Sequence, residues 1–338
     1  MLLAICIPTY QRRELLRENL SILCQELASV DRANYVVRVF DNDESLTEVE
    51  CDEYRSLINF DYVRHDENIG SDANIARCYS QEEAEYVLVL GDDDFVLPGR
   101  IERVLKTLAT RRVDVLFLKA SGFERHYASE VPRLKEDTCW FVTPADFLRY
   151  TGAGAMAISC IVVRRSAYRA RPPATYIGTN LVQLGVLLDA MENARVYAAT
   201  KEYVISGKRN NTGGYDPERI FVSNIRVVYR QWTRSPAVRQ SEEVLFNEML
   251  KRFYPQRLFQ ARQALGITAE KRKVYHREFS NRIAYWLMVV PILWCPRLFM
   301  IPVGLLIVAV SKTLNRDVRR SVLFLFTRIL GVFRSIRS

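Results

Sequence analysis

Apolar runs of strand length recur along the first third of the chain. Leu3 to Ile7, Tyr35 to Phe40, Phe60 to Val63, Tyr86 to Leu90 and Val113 to Leu118 are each rich in β-branched or aromatic residues. The stretches between them carry the other period. Gln11 to Leu27 sets Leu15, Leu16, Leu20, Ile22 and Leu23 at helical recurrence, and Gly99 to Ala109 does the same with Ile101, Val104, Leu105 and Leu108. Continuous apolar strands alternating with amphipathic helices predict an α/β fold, a Rossmann-like, mostly parallel sheet with helices on both faces. The opening Met1 to Pro8 lacks a positive flank and meets polar residues too soon for a signal sequence, so it reads as a buried strand.

In such sheets ligands sit beyond the carboxyl ends of the strands. Four of these ends are polar here: Pro8-Thr9-Tyr10-Gln11-Arg12-Arg13, Asp41-Asn42-Asp43, Asn68-Ile69-Gly70 and Gly91-Asp92-Asp93-Asp94. Asp and Asn after a strand also make turns and helix caps. Three successive aspartates ask for more, because like charges raise one another's pKa and destabilise the fold unless a cation or an array of donors compensates. Oxygen ligands with no histidine nearby favour a hard ion, Mg²⁺ or Mn²⁺, over zinc. Phosphates fill the open positions of such ions. A nucleotide diphosphate is therefore a natural ligand, with Asp41 placed to accept hydrogen bonds from base or ribose.

These pieces as a set, together with Asn74 and the stretch from Tyr86 to Pro98, resemble the GT-A fold glycosyltransferases of family 2. That family transfers a sugar from a nucleotide diphosphate sugar to an acceptor hydroxyl. The likeness covers roughly residues 1–120 and is strongest to bacterial members that build O-antigen and related surface glycans, the abequosyltransferase-like group among them. It implies a nucleotide-sugar site made of Pro8, Thr9, Tyr10, Arg12, Asp41, Asn68, Gly70, Asn74 and Asp92, with Asp41 on the base, and a metal held by Asp92, Asp93 and Asp94. The family pattern is Asp-x-Asp, an acidic residue and then, four positions on, proline. Anchoring on Pro98 puts Gly91 at the first Asp and Asp93 at the metal-binding one; Asp92 and Asp94 form an equally legible pair. Asp93 or Asp94 would be the direct ligand, with Asp92 towards ribose or a metal-bound water.

Inverting members use a carboxylate as base on the acceptor hydroxyl, usually from a Glu-Asp or similar pair at a helix start after the acceptor-side strand. Here that strand is expected over Ala155 to Val163, and the matching helix start, Tyr176 to Gln183, holds no acid. Asp189 and Glu192, further along the helix, are the base candidates, with Asp72, Asp137 and Asp216 as alternatives, or the course is retaining. After a strand expected over Val196 to Ile205, the glycine-rich, basic run Ser206 to Tyr215 has the character of a loop that closes over a donor, with Lys208 and Arg209 offered to the leaving diphosphate. His65, His126 and His276 lack metal-ligand spacing.

Charge changes the picture at the C-terminus. The 338 residues carry 48 Lys plus Arg against 39 Asp plus Glu, but from Lys271 onward the count is 13 basic to 2 acidic, and before it 35 to 37. Within that tail, 283–310 holds one charge, Arg297, and is interrupted by Pro291, Pro296 and Pro302. Two legs of about 14 residues, ~21 Å each, fall short of a ~30 Å bilayer core, which predicts an in-plane or re-entrant hairpin with both basic flanks cytoplasmic. Over 315–338, Val318, Val322, Leu325, Phe326, Ile329, Leu330, Phe333 and Ile336 form one stripe with six arginines mostly off it, the signature of an interfacial amphipathic helix. Basic residues interleaved with aliphatic ones suit an anionic membrane surface and not nucleic acid. Seven cysteines without a CxxC pair suit a reducing cytosol.

The chain is thus expected to comprise a catalytic domain over 1–215 (a nucleotide-sugar half 1–120 and an acceptor half 121–215), a helical extension over 216–282 and a membrane-associating segment over 283–338. The implied protein is a metal-dependent glycosyltransferase at the cytoplasmic face of a bacterial inner membrane, peripheral or monotopic, with a lipid-linked saccharide as acceptor. A polyprenyl-phosphate sugar synthase of the same fold and a non-catalytic nucleotide-binding scaffold are the alternatives.

Overall fold

A computed structural model describes residues 1–314 apart from 133, 170, 210–215, 217, 232–234 and 265. The expected helix over 315–338 and most of the glycine-rich run lie outside the described residues. The chain divides into two compact units, Met1–Ser241 and Glu242–Ser338, where the sequence suggested boundaries after 215 and 282.

The first unit begins with alternating strands and helices: β1 (Leu3–Thr9), α1 (Arg13–Leu27), β2 (Tyr35–Asp41), α2 (Glu48–Leu57), β3 (Phe60–Arg64), α3 (Ser71–Ser80) and β4 (Tyr86–Val89). Next come β5 (Asp94–Val96), α4 (Arg100–Thr110), β6 (Val115–Phe123), β7 (Thr138–Phe141), α5 (Pro144–Thr151), β8 (Ile161–Arg164), α6 (Val182–Asn193) and β9 (Tyr197–Lys208). Among the described residues these strands form one nine-stranded sheet in the order β3-β2-β1-β4-β8-β6-β9-β5, with β7 also on β9. The run β3-β2-β1-β4 is parallel throughout; β8 then enters antiparallel, and β9 returns parallel to β6. Strands buried on both faces explain the unbroken apolar runs, since Leu3, Ile5 and Ile7 enter one core with Leu16, Leu20 and Leu23 of α1, Val37, Val39, Leu88 and Ile101.

Strand order reverses between β1 and β4, because β2 and β3 add on one side of β1 and β4 on the other. A crevice opens at such a switch point beyond the strand ends. The segment expected as a strand from Ala155 corrects to two tight 3₁₀ turns, Gly152–Met156 and Ile158–Cys160, with a strand only at Ile161–Arg164. The first turn passes close to the Phe117 ring: a Cβ on Gly154 would lie 2.9 Å from its Cζ, a contact that glycine avoids.

After β9 come α7 (Ile225–Gln231) and α8 (Pro236–Arg252); in the second unit, α9 (Tyr254–Ala264) and α10 (Ala269–Phe279) pack through edge-on rings, with Tyr254 and Tyr275 centroids 5.4 Å apart. Three helices follow, α11 (Ile283–Met288), α12 (Val290–Trp294) and α13 (Arg297–Leu314), interrupted near Pro291 and Pro296 as the sequence suggests. Among the described residues no helix is long and apolar enough to cross a membrane. Ile283, Trp286, Leu287, Phe299 and Leu306 nonetheless stay exposed.

The first unit also carries a helix start that can be tested. Thr47 and Glu50 form a reciprocal cap on α2, and Arg13 and Arg17 of α1 reach the same Glu50 carboxylate. The Thr47 amide above all, then its hydroxyl and the two guanidiniums, hold Glu50 at about 2, below the usual carboxylate range. A lowered carboxylate stabilises the fold above the unfolded-state value, and that contribution fades as pH falls towards the folded one. Glu50→Gln is expected to lose about 1 kcal/mol at pH 7 by urea unfolding. The deficit should shrink to roughly half or less at pH 3; an equal deficit at both values would exclude the charged contacts as its source.

Candidate functional site

The crevice between β1 and β4 holds a cavity of about 460 Å³ lined by Pro8 and Thr9 at the end of β1, Tyr10 and Arg12 after it, Asn42 after β2, Asn68, Gly70 and Ser71 with Asn74 and Ile75 around the start of α3, Gly91, Asp92 and Asp93 after β4, and Ile158. Its polar floor is cross-linked. Thr9 Oγ1 donates to Asp92 Oδ2 at 2.8 Å, and Arg12 Nη1 donates to Asp92 Oδ1 at 2.9 Å and to Asp93 Oδ2 at 3.4 Å. Gln11 makes the turn that presents Tyr10 and Arg12 by taking φ = 52°, a conformation few non-glycine residues adopt.

The three aspartates part company. Asp92 is buried, and burial raises its pKa against the pull of Arg12 and Thr9. Asp93 faces the cavity. Asp94 opens β5 and points elsewhere: its Oδ2 accepts from Ser159 Oγ at 2.5 Å, and a Cβ on Gly207 would lie 2.5 Å from its Oδ1. Although Asp94 keeps a partly exposed edge, desolvation and then the Asp93 charge push its carboxyl up to about 7. Asp92 and Asp93 line the cavity and Asp94 does not, while Asp93 Oδ1 and Asp94 Oδ2 would each stand 3.1 Å from a Cβ on Gly91. Among the described residues no group of three or more His, Cys, Asp or Glu side chains is disposed to hold a metal.

The motif's backbone is fixed from three directions. Asn19 of α1 donates to the carbonyls of Gly91 at 3.0 Å and Asp94 at 2.9 Å. The Gly91 amide donates to Ser159 Oγ at 2.8 Å, and the Lys208 amide to the Asp93 carbonyl at 3.1 Å. Lys208 therefore reaches the motif through its backbone, while Arg209 pairs with Glu124 at 3.2 Å. The sequence pattern does not single out Asn19 or Ser159, and it marks Asn42 only as part of the strand end Asp41-Asn42-Asp43; for Asn19 the available signal is an asparagine inside an amphipathic helix.

Asp41 departs from its expected role. Its carboxylate is fully buried and accepts from the amides of Asp43 at 2.9 Å and Ser45 at 2.8 Å and from the Tyr62 hydroxyl at 2.6 Å. It holds the loop after β2 and does not line the cavity; the next residue, Asn42, does, with its Oδ1 buried and lacking a partner. Asn74 donates to the Phe40 carbonyl at 2.9 Å and meets His65 Nε2 at 3.1 Å, while Arg77 contacts His65 Nδ1 at 2.8 Å. A guanidinium only donates, so Nδ1 accepts and the proton sits on Nε2, facing Asn74. Asn68 accepts the Gly70 amide at 2.9 Å, and Gly70 (φ 84°) turns the chain into α3, whose positive end faces the cavity.

The base candidates on α6 are corrected by position. The helix starts at Val182, and Glu192 lies ~15 Å further along its axis, exposed near the opposite edge of the sheet. Asp189 is buried inside, beside Tyr176. Asp137 pairs with Lys201, and the Asp216 carboxylate accepts from the Glu218 amide at 3.0 Å. Asp72 behaves differently: from α3 its Oδ2 accepts the amides of Gly178 at 2.7 Å and Asn180 at 2.8 Å, in the turn just before α6. Asn224 ties down the same turn by donating to the Thr179 carbonyl at 2.7 Å.

Residues 4–170 match the family model described as Glycosyl transferase family 2. Abequosyltransferase RfbV of Salmonella typhimurium is 28% identical over 120 residues, 34% of this chain and 34% of that protein, so the chain spans about a third of the length of this curated relative. The solved structure of S. aureus TarS 1–349 superposes with a TM-score of 0.60 at 15% identity, covering 95% of this chain and 92% of that one. The same protein in complex with UDP-GlcNAc gives 0.60 at 16% identity with the same coverage. At these identities the likeness is one of fold.

Ser159 is the inexpensive probe of the motif's anchorage. Ser159→Ala removes the acceptor of the buried Gly91 amide and the donor to Asp94 together, and is expected to lower unfolding free energy by about 1–3 kcal/mol in denaturant titrations. A change below about 0.5 kcal/mol would mean that the bonds to Asn19 suffice.

Proposed function

We propose that the chain, which matches the glycosyl transferase family 2 model over residues 4–170, is a glycosyltransferase whose crevice binds a nucleotide diphosphate sugar and passes its sugar to a hydroxyl of a lipid-linked, polyprenyl diphosphate saccharide in bacterial surface polysaccharide synthesis. The observation that carries the donor part is the cavity itself. It has the volume of a small-molecule site and brings the positive end of α3, the Asn42 amide, Arg12 and two carboxylates to one place. The bound UDP-GlcNAc of the TarS complex is in keeping with a donor of that class.

Asp93, with Asp92 beside it, offers a hard oxygen donor set of the kind Mg²⁺ or Mn²⁺ takes, one or two carboxylates completed by water and substrate phosphates. Asp94 does not fit that set, because its carboxyl group is turned to Ser159. When bound, such an ion would neutralise charge on the departing diphosphate. Lys208, the last residue of β9, and Arg209 after it are the cations beside the point where that strand meets the Asp93 carbonyl.

On the acceptor side the reading assigns the base to Asp72. The turn from Gly178 to Asn180 is where related enzymes are expected to carry their acid, and here the carboxylate comes from α3 instead. In the second unit, the exposed Ile283, Trp286, Leu287, Phe299 and Leu306 support an in-plane association with an anionic membrane, which would place the enzyme at the cytoplasmic face beside its acceptor and raise the acceptor's effective concentration.

Thermal stabilisation by UDP, GDP, CDP and dTDP, each with and without Mn²⁺, tests the donor site. One nucleotide is expected to raise the melting temperature only with metal, and Asp93→Asn to abolish that shift while Asp94→Asn retains it. No shift with any nucleotide would overturn the reading. Asp72→Asn is expected to lose 10²-fold or more in sugar transfer while keeping the nucleotide shift; undiminished turnover would remove Asp72 as the base.

A further inference from the structure

A second cavity of the first unit lies at the other edge of the sheet. It measures about 570 Å³ and is framed by Leu2 before β1, residues 83–85 before β4, residues 108–112 at the end of α4, and residues 164–166 with Arg169 after β8. Leu2 belongs to this cavity and Thr9 to the donor cavity, seven strand steps or ~23 Å apart, and the two share no lining residue.

Its charge is one-sided. Five arginines line it, Arg111, Arg112, Arg164, Arg165 and Arg169, against two carboxylates, Glu83 and Glu85. Arg164 is nine-tenths buried, and its position is fixed: Nε donates to the Tyr86 hydroxyl at 3.1 Å, Nη2 pairs with Glu85 at 3.2 Å, and Nη1 stands 3.8 Å from Asp114. Arg111 lies over the Trp140 ring at 4.6 Å, and Arg165 donates to the Glu83 carbonyl at 3.4 Å. Arg112 and Arg169 have no carboxylate partner among the described residues, and both are exposed. The negative end of α4 accounts for a cation at Arg111 or Arg112, directly after the helix. It does not account for Arg164, Arg165 and Arg169, which arrive from a different element.

Guanidinium groups that outnumber the carboxylates in a concave site repel one another and focus a positive potential into the cavity. Their planar forks fit the oxygens of a phosphoryl group two at a time. We propose that this cavity is a second anion site, which takes a phosphoryl group either from a soluble phosphate or diphosphate or from a phospholipid headgroup. The proposal is independent of the donor reading, because neither its residues nor its location enter that site.

The test uses the full chain and the double variant Arg112→Ala/Arg169→Ala, whose exposed side chains leave the core untouched. Inorganic pyrophosphate is titrated by calorimetry with the donor cavity saturated by the nucleotide that stabilises the protein, or without nucleotide if none does. In parallel, flotation compares vesicles of phosphatidylglycerol with vesicles of phosphatidylcholine. The expected result is pyrophosphate binding or phosphatidylglycerol partition that falls at least fivefold in the variant, with nucleotide stabilisation unchanged. Loss confined to pyrophosphate identifies a soluble anion as the ligand, and loss confined to phosphatidylglycerol identifies a lipid phosphate. Equal behaviour of wild type and variant in both arms, or pyrophosphate binding that saturating nucleotide abolishes, would overturn the proposal.

Discussion

Three consecutive carboxylates at one strand end cannot share one environment, and the site depends on the fold giving each a different one. Asp92 is sunk between Thr9 and Arg12, Asp93 is left to the cavity, and Asp94 is turned back onto Ser159 and Gly207. Like charges held this close would otherwise splay the turn. Asn19 and Ser159 fix the backbone on both sides, so the two carboxylates facing the cavity are held in place before any ligand arrives.

This division of labour ties the two halves of the sheet together. Asp94 opens β5, which pairs with the end of β9, so the donor-side motif is complete only once a strand more than a hundred residues later has closed against it. The acceptor-side turn shows the reverse dependence: Asp72 reaches across from α3 to hold Gly178 and Asn180, and both of these adopt positive φ, 90° and 55°. A helix start with that geometry is strained unless something outside it fixes the turn. The edge of the sheet therefore behaves as one assembly in which each half supplies the other's missing group.

What the sequence made legible follows from which interactions are local. The strands β1 to β4 could be read because burial on both faces leaves unbroken apolar runs, and α1 and α4 because one face of each helix enters the same core. The polar strand ends could be read as an edge, but not the direction of each side chain on it. Asp41 and Asn42 are neighbours with opposite fates, and only the loop after β2, closing on Asp41 through the Asp43 and Ser45 amides, decides that Asn42 faces the cavity. The stretch before β8 was misread for a related reason. Its apolar content resembles a strand, yet it folds into tight turns, with Gly154 against the Phe117 ring, that bring Ser159 to Gly91. Contacts such as Asp72 with Gly178, 106 residues apart, leave no trace in periodicity at all.

The same electrostatics constrains what a donor must bring with it. Arg12 compensates one charge of the cluster, and desolvation with the Asp93 charge pushes the Asp94 carboxyl up to about 7. What remains facing the cavity is close to one net negative charge, and a diphosphate approaching it adds charge of the same sign. The positive end of α3 offsets only about half a unit. Under the proposed function, that balance would favour a divalent ion entering together with the donor's phosphates over one resident in the empty protein, with Asp93 the cavity-facing carboxylate that would receive it.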